Sequence, residues 1–353
     1  MGPAVGQPRG VTVAPTVSVV MPTWTWDGCF ERCAGAALDR VRETAATGTE
    51  LLVVFDGAAD GLPTFLADPR CRVLAAGERG GPARARNIGA AAARGDILFF
   101  VDSDVELAAD AVERVRAAFG AAPDLMALFG TYDDAPACDG TVSQFRNLLH
   151  HHTHFSHPGK AETFWSGCGA IRAAVFADLG GFDESFVHPS VEDIELGMRL
   201  KAMGAWIELD PLLRCKHHKS WSLRSMVVTD ICQRAVPWTR LIMDSGEVPA
   251  TLNLDWGNRA CGAAAVLTAL ALPAAAIWRR WEFLAGVPVL LAAMAWMHGD
   301  FYRICLRRRG PAFALASFGL HGLFYFYSTL TFAAVVATTT AGRWISRLTG
   351  PCT

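Results

Sequence analysis

The apolar and polar positions of this 353-residue chain fall into two regimes. In the first, short β-branched or aromatic runs are cut off by Pro, Gly or Asp. Residues 17–21 stop at Pro22, residues 51–55 stop at Asp56-Gly57, and 72–75 form a shorter third run. Such runs read as buried strands. Gly81-Pro82 opens a predicted helix through Arg94, with Pro in its favoured first turn. Residues 97–101 contain no polar side chain and predict a fourth strand, followed by a helix over 108–119 and a strand over 125–132. Strands alternating with helices predict a mainly parallel sheet covered on both faces, with ligands at the carboxyl ends of its strands.

In the second regime the apolar stretches lengthen. Residues 260–277, 281–298 and 312–337 are candidate membrane spans. The first two have about 18 residues each, the lower limit for crossing roughly 30 Å of hydrocarbon. Trp278-Arg279-Arg280-Trp281 joins them as a hairpin tip suited to the headgroup layer. Arg303, Arg307, Arg308 and Arg309 lie before the third stretch, and the positive-inside rule puts them and the head in the cytoplasm. Two re-entrant helices with one true span are the alternative. Between the regimes, Lys216, Lys219, Arg224, Arg234 and Arg240 are interleaved with Trp221, Met226, Ile231, Trp238 and Ile242. That pattern predicts an interfacial helix kinked at Pro237.

Composition sharpens the division. A chain 52% hydrophobic and 19% charged is too apolar for an ordinary soluble protein. Residues 259–353 hold nine Arg, no Lys and two acids, giving +7. The whole chain is −2, so the head carries −9. No basic stripe is interleaved with aromatics in the head, which excludes a nucleic-acid partner. The ten Cys have irregular spacings and no CxxC, so they are expected to be reduced, small apolar residues. Residues 1–15 lack a basic start followed by an apolar run, so no signal peptide is expected.

The candidate chemistry sits at the end of the fourth strand, in Asp102-Ser103-Asp104. Two carboxylates there suit a divalent cation bridging a nucleotide diphosphate. No GxGxxG follows the first strand and no loop ends in GK[ST], which argues against dinucleotide-binding and P-loop folds.

Five segments in order carry a resemblance. They are Val17-Ser18-Val19-Val20-Met21-Pro22, Val53-Val54-Phe55-Asp56-Gly57, Arg84-Ala85-Arg86-Asn87-Ile88-Gly89, the run from Gly95 to Asp104, and Gly180-Gly181-Phe182-Asp183-Glu184 with Glu192-Asp193-Ile194-Glu195. Together they resemble family-2 glycosyltransferases of the inverting GT-A type, with a C-terminal membrane anchor added. The resemblance implies a GT-A nucleotide-diphospho-sugar transferase fold with a mixed, mainly parallel sheet, then an interfacial helix and about three transmembrane helices. It divides the chain into an N-terminus (1–15), a catalytic domain (16–220), a collar (221–258), a membrane region (259–340) and a tail (341–353).

The same resemblance implies roles. Pro22, Thr23, Asp56, Arg86, Asn87, Asp102, Ser103 and Asp104 would contact a UDP- or GDP-linked sugar. Asp104, with Asp102 and one of His217 or His218, would hold Mn2+ or Mg2+. Asp193 would be the general base, with Trp165 and Glu192 on the acceptor side. Asp193 competes with a second reading, because Ser190 three residues earlier approximates a capping box. Glu195 and Arg199 are spaced to pair along the helix. The histidines of 150–157 line an acceptor pocket or a solvated turn rather than a metal site. The expected activity is hexosyl transfer to a lipid acceptor, polyprenyl phosphate leading because its anionic head partitions to the interface. A processive polysaccharide synthase or a catalytically idle scaffold are the alternatives.

Overall fold

The computed structural model describes residues 14–246 and 255–349. The expected N-terminal segment falls almost wholly outside the described residues, as do part of the collar and the last four residues.

The head begins with β1 (Val17–Thr23), α1 (Gly28–Glu43), β2 (Thr49–Phe55), β3 (Cys71–Ala75), α2 (Gly81–Ala92) and β4 (Ile97–Val101). It continues through β5 (Val105–Leu107), α3 (Ala111–Ala121), β6 (Leu125–Tyr132), α4 (Thr141–Phe155), β7 (Gly159–Lys160) and β8 (Cys168–Arg172). The last head elements are α5 (Ala173–Asp178), α6 (Glu192–Ala202) and β9 (Trp206–His217). The sheet order is β3-β2-β1-β4-β8-β6-β9-β5, with β7 on β9. β3, β2, β1 and β4 are parallel, β8 runs antiparallel to β4 and β6, and β9 is parallel to β6. The sheet is mixed and mainly parallel on its first side.

Its period-two pattern splits the core cleanly. Val19, Leu51, Val53, Ile97 and Phe99 pack on one face with Phe30, Leu38, Val112 and Phe119 from α1 and α3. Val20, Leu52, Val54, Leu98 and Phe100 pack on the other with Ala83, Phe176, Leu196 and Leu200 from α2, α5 and α6. Strands buried on both faces read as unbroken apolar runs, which is why β1, β2 and β4 were legible. The helix expected over 108–119 starts later, at Ala111, because 105–107 peel off as β5 against β9.

The collar is α7 (Leu223–Val228), a π-helical turn (Thr229–Ala235) and α8 (Val236–Ser245). Pro237 sits in the first turn of α8, where its missing N–H is no loss. The irregularity expected at Pro237 is therefore the π turn just before it. α9 (Trp256–Trp278) is long enough to span a membrane at about 35 Å. The second expected span is not one helix: Trp281–Leu284 forms a 3-10 turn and α10 (Val287–Met297) restarts at Pro288. At about 17 Å, α10 is half the needed length. α11 (Gly299–Thr349) breaks at Gly310, whose φ of 80° lies in the left-handed region. The expectation of about three spans thus becomes two long apolar helices, Trp256–Trp278 and Gly299–Ala341, and one short one.

Head and tail share a core. Phe145 and Leu148 of α4 and Trp221 and Met226 of the collar pack with Phe301, Cys305 and Phe313 of α11. Arg308 and Arg309 pair with Asp134 and Asp139, so the basic segment lies against the head.

Candidate active site

Asp102 and Asp104 emerge from the end of β4, and β9 brings a partner to them. The β5–β9 register sets Val105 opposite His217, and the His218 N–H donates to the Asp104 carbonyl at 2.9 Å. That pairing leaves His217 Nε2 3.5 Å from Asp104 Oδ2. His218 turns to the other side and meets Glu106 Oε2 at 2.6 Å. Of the two histidines, only His217 joins Asp104 at the cleft. Its ring stacks on Tyr132 at 4.4 Å and 8°, so the imidazole is held flat between strands. Burial alone would raise the Asp104 carboxyl, but the bond and charge of His217 and the charge of Lys219 hold it below its ordinary value.

Arg86, near the middle of α2, bridges the two halves of the site. Its guanidinium is 4% exposed and donates to Asp102 at 2.7 Å and to Glu192 at 2.8 Å. Asp102 is nevertheless raised, by burial first and then by the neighbouring Asp104 and Glu192 charges, which outweigh Arg86. Glu192 is buried and also accepts from the Ser190 N–H at 2.9 Å. Sequence alone pointed to Arg86 and Glu192 as ligand contacts and missed that they are each other's partners.

Asp193 lies in the first turn of α6. Its Oδ2 accepts from the Ser166 N–H at 3.1 Å and is 3.4 Å from the Ser166 hydroxyl. The approach is close because Gly197, one turn on, lies against residues 163 and 164; a Cβ there would meet the Phe164 nitrogen at 2.4 Å. The capping box is not formed, since α6 has no side-chain cap and the Ser190 hydroxyl donates to the Gln233 carbonyl. Burial, reinforced by Glu192 and only partly countered by Arg86 and Ser166, pushes the Asp193 carboxyl up to about 7. A carboxyl raised that far exchanges a proton near neutrality. Glu195 and Arg199 do pair, at 2.7 Å.

These groups converge on one cavity of about 290 Å3 lined by Arg86, Asp102, Asp104, Trp165, Asp193 and His217. His150 and His154 line it too, so the histidine run contributes a wall. Burial lowers both imidazoles, His154 to about 4, and they are neutral at physiological pH. His150 lies 4.1 Å from Tyr132, 4.0 Å from His154 and 4.6 Å from Trp165, ring centre to ring centre.

Other expected contacts have different neighbours. Asp56 accepts from the N–H groups of Gly80 and Gly81 at 2.8 and 3.0 Å and fixes the start of α2. Gly81 has φ 86° and a Cβ would meet the Val187 carbonyl at 2.5 Å, so that turn requires glycine. Asn87 donates to the Phe182 carbonyl and to Glu184 and accepts from the Phe182 N–H, holding the 180–184 turn. The Thr23 hydroxyl donates to the Thr25 carbonyl. Pro22, Thr23, Asp56, Asn87 and Ser103 are outside this cavity lining.

An α/β sheet with a DxD at a strand end, facing a helix-borne carboxylate, defines a GT-A-like domain. Residues 18–180 match Glycosyl transferase family 2, so this part of the chain is a domain of that type. Succinoglycan biosynthesis protein ExoO of Rhizobium meliloti is 32% identical over 31% of this chain and 31% of its own. Validoxylamine A glucosyltransferase of Streptomyces hygroscopicus is 29% identical over 56% of this chain and 50% of its own. The chain spans about half or less of the curated relatives it matches. The mannosyltransferase PcManGT from Pyrobaculum calidifontis, solved with GDP-Man and Mn2+, has a TM-score of 0.53 and 16% identity over 94% of this chain and 88% of that one. At that identity the likeness is one of fold.

The donor set fits such a cation. A carboxylate and an imidazole 3.5 Å apart, both on the cavity, suit Mn2+. Among the described residues no three His, Cys, Asp or Glu side chains form a metal cage. A site of the Mg2+ or Mn2+ kind draws its remaining ligands from substrate phosphates and water.

Proposed function

We propose that the chain is a metal-dependent, inverting glycosyltransferase that moves a hexose from a UDP- or GDP-sugar to a lipid acceptor. The observation that carries this is the meeting of Asp193 with Asp104, Asp102, Arg86 and His217 on one cavity. The acceptor oxygen forms a bond to the anomeric carbon from the face opposite the diphosphate. Any proton on that oxygen passes to Asp193, and the bond from carbon to the diphosphate breaks, its electron pair leaving with the nucleotide diphosphate. Asp104 and His217 would hold Mn2+ or Mg2+, which supplies a positive charge against that of the departing diphosphate. Arg86 fixes Asp102 and Glu192, and Ser166 fixes Asp193, so the carboxylates keep their places as charge moves.

The lipid acceptor and the membrane address rest on the tail. Two long apolar helices follow the head, and the cavity is bounded on one side by the collar residues Thr229, Gln233 and Trp238. Arg308 and Arg309 lie on the head's side, and the positive-inside rule then favours a cytoplasmic head. The division into a catalytic domain over 16–220 and a collar over 221–258 belongs to the same reading.

The test is a product analysis. Purified protein is incubated with total polar lipids, Mn2+ and a panel of radiolabelled nucleotide sugars. Expected are an organic-extractable labelled product and free nucleotide diphosphate, both lost in Asp104→Ala. Release of pyrophosphate, or the same yield from Asp104→Ala, would refute the proposal.

A further inference from the structure

A second cavity of about 450 Å3 lies beside the first, walled by α8, α9 and α11. Its walls are mostly apolar or weakly polar, including Ile242, Phe332, Thr239 and Ser328, with Asn258 and Arg259 also on them. Arg146, Arg234, Trp238 and Phe324 line both cavities and form the neck between them. The space holding Asp193 therefore adjoins, across these four side chains, a pocket reaching between the tail helices.

The neck is rich in donors and poor in acceptors. Arg146 and Arg234 share one oxygen of a single buried carboxylate, Asp230, at 2.8 and 3.2 Å. The other oxygen accepts from the Tyr327 hydroxyl of α11. Lys219 adds a third cation, 4.4 Å from the centre of the Trp221 ring, with Arg146 at 5.7 Å and Arg234 at 6.0 Å from the same ring. Three cations thus surround one indole; Lys219 also acts on Asp104, while Arg146 and Arg234 have the one carboxylate of Asp230 between them. The Trp238 indole N–H is buried and makes no hydrogen bond. A buried donor without an acceptor costs about 1–3 kcal/mol. Guanidinium groups and an indole N–H around a gap with excess positive charge match an anion with several acceptor oxygens.

We propose that this neck and cavity form the acceptor site: the neck holds a phosphate-type head, and the 450 Å3 pocket holds the first part of its single apolar chain. The inference rests on the lipid-acceptor reading above and adds where that lipid lies and what recognises it. The charge of the neck selects an anionic head over a neutral one. Because Arg146, Arg234 and Trp238 also line the catalytic cavity, a head held by them lies on the side of Asp193. Asp230 is a positioning residue, orienting both guanidiniums and tying them to α11 through Tyr327.

The test uses the full chain in detergent and three probes: a radiolabelled long-chain polyprenyl monophosphate, the matching alcohol, and inorganic phosphate. The monophosphate is expected to bind at least tenfold more tightly than either other probe. Arg234→Gln should weaken it about tenfold, the loss of one charge-assisted contact. Ser328→Trp, which fills the pocket, should weaken the monophosphate and leave inorganic phosphate unaffected. Stabilisation of both variants by UDP or GDP with Mn2+ serves as the folding control. Equal binding of the alcohol, or unchanged monophosphate binding in both variants, would overturn the proposal. If the wild type binds the monophosphate with these dependences but transfers no sugar to it, the neck stands as a lipid-phosphate site and the acceptor reading falls instead.

Discussion

Replacing Asp193 by Asn should stabilise the protein above neutral pH while abolishing its chemistry. Asp193 is partly buried, and its carboxyl is raised from 3.8 to about 7. Between those values the folded state holds a proton that the unfolded chain has released. Stability therefore falls as pH rises through that window, because the unfolded state binds fewer protons there. Three units at about 1.4 kcal/mol each put the cost of ionising Asp193 in the fold at no more than about 4 kcal/mol. Asn keeps an oxygen to accept from Ser166 and never ionises. Its advantage over the wild type should be near zero below about pH 4 and grow to a few kcal/mol above about pH 7. Thermal unfolding of both proteins in detergent across that range measures the difference. Transfer should fall about 10²–10⁴-fold in the variant, the usual loss with a general base. A variant with no pH-dependent gain, or with wild-type turnover, would refute the reasoning.

The same group sets the pH profile: kcat/KM should rise with pH through about 7 as Asp193 loses its proton, and a flat profile from pH 5 to 9 would count against it. His217→Ala should raise the Mn2+ needed for half-maximal activity at least tenfold, whereas His218→Ala, which loses only Glu106, should leave it near wild type; a metal titration separates them. Arg86→Met leaves the buried Glu192 without its cation and Asp102 without its partner, and should cost about 3–5 kcal/mol, read as a lowered unfolding temperature. Gly197→Ala forces α6 away from residues 163–166 and should reduce turnover more than it reduces stability, measured by kcat beside a thermal melt.

β1, β2 and β4 were readable because they are buried on both faces and end at Pro, Gly or Asp. β9 was not, because Pro211 interrupts the alternation of its buried positions with Glu208, Asp210 and Arg214. β5, three residues long, has no pattern of its own and exists because β9 pairs with it. The site divides in the same way. Asp102, Asp104 and Asp193 carry the resemblance and lie together on the cavity. The partnership of Arg86 with Glu192 spans 106 positions and has no local signature. The choice between His217 and His218 depends on strand register, which adjacent identical residues cannot reveal. The tail misled for a simpler reason: hydropathy does not see the turn at Trp281–Leu284 that shortens α10.

The core formed by Phe145, Trp221, Phe301 and Phe313 welds α4 to α11 and leaves no hinge at that contact between the head and the tail helices. On the proposed membrane reading, the reaction centre then rides at one fixed height over the bilayer. An acceptor must bring its nucleophile to that level, so the depth at which a lipid floats becomes a selection rule in its own right. Shifting the boundary between water and hydrocarbon along α11, for instance by moving its flanking arginines one turn, would retune which lipids are glycosylated without altering any residue in the cleft.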